Sequence, residues 1–150
     1  MASFLEDAAH TPGGHTTAVA LPTTEGEVAS ALRHSKRVLP IGAQSSLTGG
    51  ATPLGEAVLS LSRMNAVGAV TADRVRLEPG VAIETLEAAL AERSLYYPPA
   101  STYRGASVGG SVATNAAGAS TFKHGTTRRE PVCLPVSCAI RCLPCPPNTS

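Results

Sequence analysis

The chain reads IGAQSSLTGG over residues 41–50 and GASVGGSVATNAAG over residues 105–118. Both glycine-rich loops lie among apolar segments with the composition of β-strands. Because glycine lacks a Cβ, the backbone of such a loop approaches a ligand closely, and successive backbone N–H groups form concavities that suit phosphate oxygens. The two loops together predict a site for a ligand that carries a pyrophosphate.

Length and composition predict an ordinary folded domain. The chain has 150 residues, enough for one domain with a single core, and 43% of them are hydrophobic. The formal net charge of +1 gives no general attraction to nucleic acid or to a membrane surface. We expect a cytoplasmic protein, because the sequence has no bilayer-spanning apolar stretch, no signal-peptide pattern and no cysteine in its first 132 residues.

Charge is unevenly distributed around the second loop. No acidic residue occurs between Glu92 and Glu130, whereas five cationic residues do: Arg93, Arg104, Lys123, Arg128 and Arg129. This local excess favours an anionic ligand. A solvated basic surface is the alternative interpretation of the same pattern.

Two helices are predicted from capping and periodicity. The segment TEGE at residues 24–27 predicts a capping box, and the face that follows consists of Val28, Ala31 and Leu32. Further along, a second amphipathic helix that ends near Arg93 is predicted from the spacing of Ile83, Leu86 and Leu90.

Strands are predicted between and around these helices. Composition favours β-strands over residues 19–22, 37–41 and 57–61, and a hairpin over residues 67–78. The PG dipeptide at residues 79–80 ends the hairpin. The alternation of helices and strands predicts an α+β or an α/β fold.

The composition changes from Glu130 onwards. This segment contains five of the twelve prolines and all four cysteines, namely Cys133, Cys138, Cys142 and Cys145. We expect residues 129–150 to be a disordered tail without a periodic strand or helix. Four thiolates can hold zinc or an iron–sulfur cluster, but the tail has no second Cys-x-x-Cys pair, so we expect no metal. A shifted reading frame, an alternative splice end or a truncated gene product explains the change.

Several motifs follow one another in order. They are PIGAQSSLTGG at residues 40–50, LSLSRMN at 59–65, EPGV at 78–81, SVGG at 107–110, NAAG at 115–118 and KHGT at 123–126. In this order they resemble the FAD-linked oxidases, specifically the FAD-binding domain shared by p-cresol methylhydroxylase, vanillyl-alcohol oxidase and the D-lactate and glycolate dehydrogenase branch. The resemblance covers residues 17–128. It implies an α+β fold of two small subdomains that hold FAD between them, the second being incomplete here.

The resemblance also implies which residues contact FAD. In the family the first loop wraps the pyrophosphate with backbone amides, a role that falls here on Pro40, Ile41, Gly42, Ala43, Gln44, Ser45 and Ser46. The second contact stretch falls on Ser101, Thr102, Tyr103, Arg104, Gly105, Ala106, Ser107, Gly109, Gly110, Thr114, Asn115, Ala116 and Ala117. Independently of the family, Gly42 leaves room for phosphate, and the hydroxyls of Ser45 and Ser46 can donate hydrogen bonds to it.

The mode of FAD attachment follows from the same comparison. Some members of the family bind FAD covalently through a histidine in the first loop, where this chain has Gln44, Ser45 and Ser46. The resemblance therefore implies non-covalent FAD. His124 stands where relatives often carry tyrosine, and we expect it to be a structural, half-buried histidine. The motifs identify no catalytic residue.

The resemblance implies an oxidoreductase that acts on 2-hydroxy acids such as D-lactate or glycolate. In relatives the FAD-binding domain continues beyond the segment that matches here, and a separate substrate domain covers the flavin; neither pattern occurs in this sequence. We therefore expect a flavin domain with one sheet edge left unpaired. The alternative is a truncated, non-catalytic fragment or a small binding module.

Overall fold

The computed structural model describes residues 4–99, 101–127, 131–133 and 138–145, the backbone alone at 131–133 and 138–141. The chain divides into two compact units, Met1–Met64 and Asn65–Ser150, which we call unit 1 and unit 2. Each unit has its own buried residues, so the expected single core is wrong and the expected pair of α+β subdomains is confirmed. No helix within the described ranges is long and apolar enough to span a membrane.

Unit 1 contains a parallel three-stranded sheet and one helix. The elements are β1 (Val19–Ala20), α1 (Glu25–His34), β2 (Val38–Ile41) and β3 (Ala57–Ser60). Strand β3 lies in the centre and pairs in parallel with both β1 and β2. The buried apolar side chains are those of Val28, Ile41, Val58, Leu59 and Met64. The chain passes directly from the carboxyl end of β2 into the first glycine-rich loop.

Helix α1 begins at the predicted capping box. The Thr24 hydroxyl accepts a hydrogen bond from the Glu27 N–H at 3.2 Å, and the Glu27 carboxylate accepts from the Thr23 N–H at 2.6 Å. That second bond, with one from the Thr23 hydroxyl, lowers the pKa of Glu27. On the predicted face of α1, Val28 is buried, whereas Leu32 is 52% exposed.

Unit 2 begins with the predicted hairpin and amphipathic helix. Strands β4 (Val67–Val70) and β5 (Arg74–Leu77) pair antiparallel, followed by α2 (Ile83–Ala91), β6 (Leu95–Tyr96), α3 (Val108–Ala113) and α4 (Thr121–His124). The three periodic residues of α2 are completely buried: Ile83, Leu86 and Leu90. They form one cluster with Val75, Leu77, Val81, Leu95, Tyr97, Ala106, Val108 and Cys142.

The segment after Glu130 contributes strands to unit 2. These are β7 (Pro131–Cys133), β8 (Cys138–Arg141) and β9 (Leu143–Pro144). Strand β8 pairs antiparallel with β5, and β9 pairs with β6. The expectation of no strand in this segment is therefore wrong, and the sheet edge of β5 is paired, because backbone hydrogen bonding between distant segments does not require a periodic sequence.

Other expectations about this segment are tested only in part. Expected disorder falls partly on residues 128–130, 134–137 and 146–150, which lie outside the described residues. The Cys142 side chain is buried, and that of Cys145 is exposed. Within the described part of the chain, no group of three His, Cys, Asp or Glu side chains is placed to hold a metal ion.

Candidate functional site

The first glycine-rich loop leaves β2 with a run of unpaired backbone donors. Ile41 is buried, and its carbonyl accepts a hydrogen bond from the Leu61 N–H at 3.4 Å. Beyond it, no acceptor within the described residues bonds the N–H groups of five consecutive residues: Gly42, Ala43, Gln44, Ser45 and Ser46. Five successive donors without a protein acceptor are the feature that an anion-binding backbone requires.

Gln44 gives this run its bend. Its φ is +50°, in the left-handed region that non-glycine residues rarely adopt. Its side-chain Nε2 donates to the carbonyl of Glu6 at 2.9 Å and to that of Ala51 at 3.1 Å. A residue in the left-handed region redirects the chain, and here the side-chain hydrogen bonds of Gln44 hold that conformation.

The serines that follow differ in their surroundings. Ser45 is exposed, and its hydroxyl bonds to no group among the residues described. The Ser46 hydroxyl lies 2.8 Å from that of Thr48 and accepts the Thr48 N–H at 3.3 Å. Ser45 therefore has the hydroxyl available to an external acceptor, whereas Ser46 shapes the turn.

Residues 4–15, which we call the N-terminal arm, contact this loop. Asp7 is only 3% exposed, and its carboxylate accepts the N–H groups of Ala9 at 3.1 Å and Ala51 at 3.2 Å. Its own N–H donates to the Thr52 hydroxyl at 3.3 Å, and the Ala8 N–H donates to the Gln44 carbonyl at 3.0 Å. Asp7 is not predicted from the sequence, because no spacing rule connects it with a loop some forty residues away.

In unit 2, the predicted contact residues 101–107 hold the beginning of α2. The carbonyls of Ala106 and Arg104 accept the N–H groups of Ile83 at 2.9 Å and Glu84 at 3.0 Å. The Arg104 guanidinium lies 2.8 Å from a carboxylate oxygen of Glu87. This segment therefore supplies acceptors for N–H groups that a helix leaves unsatisfied at its start.

The SVGG motif forms the start of α3. Ser107 is the N-cap, and its hydroxyl accepts the Gly110 N–H at 3.2 Å. The Gly109 N–H donates to the Pro79 carbonyl at 2.8 Å. A Cβ on Gly109 would lie 2.6 Å from Pro79 Cβ, so this glycine allows α3 to pack against the EPGV turn. Its small size serves contact with the protein itself.

The TNAA segment, residues 114–117, is fastened to its surroundings in the same way. The Ala116 carbonyl accepts both the N–H and the hydroxyl of Thr127, at 3.2 and 2.7 Å. The Ala116 N–H donates to the Ser111 carbonyl at 2.8 Å, and Asn115 adopts a φ of +51°. The Thr114 side chain is exposed, with its hydroxyl donating to the Gly110 carbonyl at 2.9 Å.

His124 is half-buried, as expected, and contacts an aromatic ring. Its Nε2 lies 3.3 Å from the Tyr96 hydroxyl, and the two rings meet edge to face with centroids 6.0 Å apart. This pairing gives the imidazole a polar partner within unit 2 and supports the structural role.

Unit 1 also contains an open groove of about 410 Å³ at the carboxyl end of β1. It is lined by Ala20, Leu21, Pro22, Thr23, Glu27 and Arg63. The Glu27 carboxylate in this lining already accepts hydrogen bonds from Thr23 in the capping box. The groove includes none of the predicted cofactor residues.

The structure thus groups the predicted residues within each unit. Residues 40–46 run from the end of β2 into the first loop, while residues 101–107 contact the starts of α2 and α3 and residues 114–117 follow the end of α3. Between residues 106 and 116, most backbone N–H groups donate hydrogen bonds inside unit 2. By the same criterion, the N–H groups of residues 101–105 also have no acceptor among the described residues, so each unit contains a run of such donors.

Comparison with known proteins identifies the family to which this chain is similar. A family model described as "FAD binding domain" matches residues 16–133, a little more than the expected 17–128. The chain is 38% identical over 119 residues to a D-2-hydroxyglutarate dehydrogenase of Xanthomonas citri pv. viticola, covering 74% of this chain and 25% of that protein. It is 36% identical over 121 residues to the glycolate oxidase subunit GlcD of Escherichia coli, covering 73% and 23%.

Solved structures agree on the fold. The glucose dehydrogenase Phl p 4.0202 superposes with a TM-score of 0.80 at 18% identity, over 96% of this chain and 38% of that one. An alkyldihydroxyacetonephosphate synthase superposes with a TM-score of 0.70 at 16% identity, over 84% and 31%. The chain spans about a quarter of the length of the curated relatives quoted above.

Proposed function

The chain belongs to the FAD binding domain family, and we propose that residues 40–46 bind the pyrophosphate of a non-covalently held FAD. The observation that carries this proposal is the run of five backbone N–H groups, from Gly42 to Ser46, that have no acceptor in the described protein. Hydrogen bonds from N–H groups to an ionised oxygen are about twice as strong as neutral ones. Phosphate oxygens would satisfy all of these donors together.

Local geometry supports the same assignment. The left-handed Gln44 turns the run, Gly42 presents no Cβ to the ligand, and the Ser45 hydroxyl is exposed and available to a phosphate oxygen. Pro40 and Ile41 belong to β2 and fix where the run begins. These residues fit a pyrophosphate without any rearrangement of the hydrogen bonds that we describe.

The second predicted stretch, residues 101–117, differs from the first loop in how it would contact FAD. The backbone groups of Ala106, Gly109 and Ala116 form hydrogen bonds inside unit 2. This supports a role in fixing the conformation of the stretch for these residues and for their neighbours Gly105, Ser107, Gly110 and Ala117. We assign direct contact with FAD to the polar side chains of this stretch. They are Ser101, Thr102, Tyr103, Arg104, Thr114 and Asn115.

The reaction of the full-length protein is a further part of the proposal. Relatives at 36–38% identity are named D-2-hydroxyglutarate dehydrogenase, D-lactate dehydrogenase and glycolate oxidase subunit. We propose oxidation of a 2-hydroxy acid, in which bound FAD would accept the hydride from the carbon that carries the hydroxyl group. The chain covers 20–25% of these relatives. The second candidate is an FAD-binding module without turnover of its own. Anaerobic flavin bleaching by D-lactate, glycolate or D-2-hydroxyglutarate distinguishes the two.

Non-covalent attachment is supported by the composition of the first loop. Residues 41–50 contain no histidine, and Gln44, Ser45 and Ser46 occupy its centre. We expect acid precipitation of the FAD-loaded protein to leave the flavin in the supernatant. A yellow pellet would contradict non-covalent binding.

A cytoplasmic location is also proposed. It is supported by the absence of cysteine from the first 132 residues, which is usual for chains that fold in a reducing compartment. Fractionation of the source cells with an antibody to this chain tests it, and recovery from a secreted or membrane fraction would overturn it.

FAD titration with two glycine variants tests the central assignment. We expect Gly42→Val to lose more than tenfold in FAD affinity, because its side chain would occupy the space needed by the pyrophosphate. Gly50→Val is the matched control, since a Cβ there meets only the Thr48 hydroxyl, at an ordinary 3.4 Å. Equal FAD affinity in two variants that both have the wild-type circular dichroism spectrum would refute the loop assignment.

A further inference from the structure

We propose that Asp7 is a positioning residue for residues 42–52, which we call the cofactor loop: together with Gln44 it clamps the two ends of this segment, and FAD affinity depends on that clamp. The proposal rests on the proposed function, because it concerns the same loop. It extends that function to a side chain outside the family match, which begins at residue 16.

The clamp reaches the loop at two places. At the beginning, the Gln44 carbonyl accepts the Ala8 N–H at 3.0 Å, and the Gln44 side chain donates to the Glu6 carbonyl at 2.9 Å. At the end, the Asp7 carboxylate accepts the Ala51 N–H at 3.2 Å, and the Asp7 N–H donates to the Thr52 hydroxyl at 3.3 Å. Three consecutive residues of the arm thus hold the two ends of one loop.

Gln44 connects the two ends directly. Besides the Glu6 carbonyl, its Nε2 donates to the Ala51 carbonyl at 3.1 Å, so Ala51 is held on its N–H by Asp7 and on its carbonyl by Gln44. Gln44 also carries the left-handed φ of +50° that bends the donor run. Such a conformation persists only where its surroundings fix it, and these surroundings are the arm and Ala51.

Close approaches also fix the arm, one within the arm itself and one between the arm and the loop. A Cβ on Gly14 would lie 1.8 Å from the Leu5 carbonyl oxygen, and a Cβ on Gly49 would lie 2.6 Å from the Thr11 hydroxyl. Both glycines therefore permit a close approach that a larger residue would prevent. Asp7 is 3% exposed and Thr52 is 6% exposed, so the hydrogen bond between them is shielded from water, whereas the bond from Gln44 to the Glu6 carbonyl is exposed.

The charge of Asp7 does not explain its position. A carboxylate near a pyrophosphate repels it, so simple Coulomb interaction would make FAD binding stronger when the charge is removed. If Asp7 positions the loop, removal of its charge should instead weaken FAD binding. Without its second carboxylate oxygen, the side chain satisfies only one of the Ala9 and Ala51 N–H groups, and the bent loop is populated for a smaller fraction of the time. Apparent affinity falls by that same fraction.

The test compares Asp7→Asn with Glu6→Gln in the full chain. Both substitutions remove one negative charge from adjacent residues, but the Glu6 side chain is exposed and bonds only to His10 among the residues described. We expect Asp7→Asn to weaken FAD binding by about tenfold, equivalent to 1.4 kcal/mol. Glu6→Gln should leave the affinity unchanged or raise it slightly.

Hydrogen exchange of the FAD-free protein supplies the readout that general destabilisation would not produce. In Asp7→Asn, faster exchange should be confined to the amides of Ala8, Ala9, Ala51 and Thr52, with α2 unchanged. Gln44→Met, which keeps the side-chain length and removes its donors, should accelerate the same amides. If Asp7→Asn does not fold, the FAD affinity and amide exchange of Gln44→Met decide whether the clamp exists. The double variant should lose less affinity than the sum of the single losses, because the two side chains share Ala51.

The outcomes separate this proposal from the proposed function. If the wild type binds no FAD, the proposed function fails, and exchange at the four amides still decides whether the clamp exists. If the wild type binds FAD and both single variants keep wild-type affinity and exchange, the clamp is refuted while the proposed function stands. Weaker binding in Glu6→Gln equal to that in Asp7→Asn would also refute it, because charge alone would then explain the effect.

Discussion

Replacing Gly109 by alanine is expected to destabilise unit 2, because helix α3 approaches the EPGV turn too closely for a side chain. The added Cβ would lie 2.6 Å from Pro79 Cβ and 2.9 Å from the Pro79 carbonyl oxygen. The neighbouring atoms belong to backbone and to a proline ring, which cannot rotate away. The helix itself would have to move.

The size of the effect follows from that movement. The start of α3 must retreat by about 0.8 Å before the closest contact reaches 3.4 Å, the lower limit of ordinary van der Waals contact. The same retreat would stretch the 2.8 Å bond from the Gly109 N–H to the Pro79 carbonyl to about 3.6 Å, beyond hydrogen-bonding range. Overpacking costs about 1–3 kcal/mol and the lost bond about 1 kcal/mol, while alanine restores up to about 1 kcal/mol of helix propensity. We expect a net loss of about 1–3 kcal/mol.

Urea denaturation followed by circular dichroism measures this loss. The control is Gly26→Ala in α1, where the added Cβ meets only the Thr24 hydroxyl at 3.9 Å. The control should be neutral or more stable by up to about 1 kcal/mol. If Gly109→Ala unfolds at the same urea concentration as the wild type, or at a higher one, the inferred contact between α3 and Pro79 is wrong.

Three other changes have expected outcomes. Leu90→Ala should cost about 2–5 kcal/mol, because the side chain is completely buried, whereas Leu32→Ala at a 52% exposed site should stay within about 0.5 kcal/mol in the same urea experiment. Because the pKa of Glu27 is lowered in the folded state, its carboxylate stabilises the fold above the unfolded-state pKa, and this stabilisation is lost as the pH falls through the folded-state pKa. When the free energy of unfolding is measured against pH, Glu27→Gln should lack this loss. A chain that ends at Thr127 lacks β8, so hydrogen exchange in β5 should be much faster than in the 150-residue chain; equal protection would show that β8 is dispensable.

The sequence predicts much of the fold where local patterns are strong. The hairpin β4–β5 and helix α2 follow from alternation and from the Ile83, Leu86 and Leu90 spacing, and all three of these residues are buried. Leu32 lies on the predicted apolar face of α1 but is 52% exposed, and Val28 is the buried residue of this helix. Helical spacing gives the direction of a face and leaves its width undetermined.

Pairing between distant segments is what the sequence did not reveal. Strand β8 pairs with β5 across sixty intervening residues, in a segment whose prolines and cysteines conceal any alternation. The partner of Gly109 was also unpredictable, since a glycine motif indicates a close approach without saying to what. Asp7 is a third case, because its role depends on a buried contact with Ala51 that no local rule encodes.

Amide NMR of the uniformly labelled chain tests the central claim most directly. FAD and ADP both carry a pyrophosphate, whereas riboflavin carries the flavin ring without phosphate. If the donor run binds the pyrophosphate, both FAD and ADP will shift the amide signals of residues 42–46, and riboflavin at the same concentration will leave them in place. Shifts produced by riboflavin but not by ADP, or unchanged signals in this loop while FAD binds elsewhere, would contradict the account.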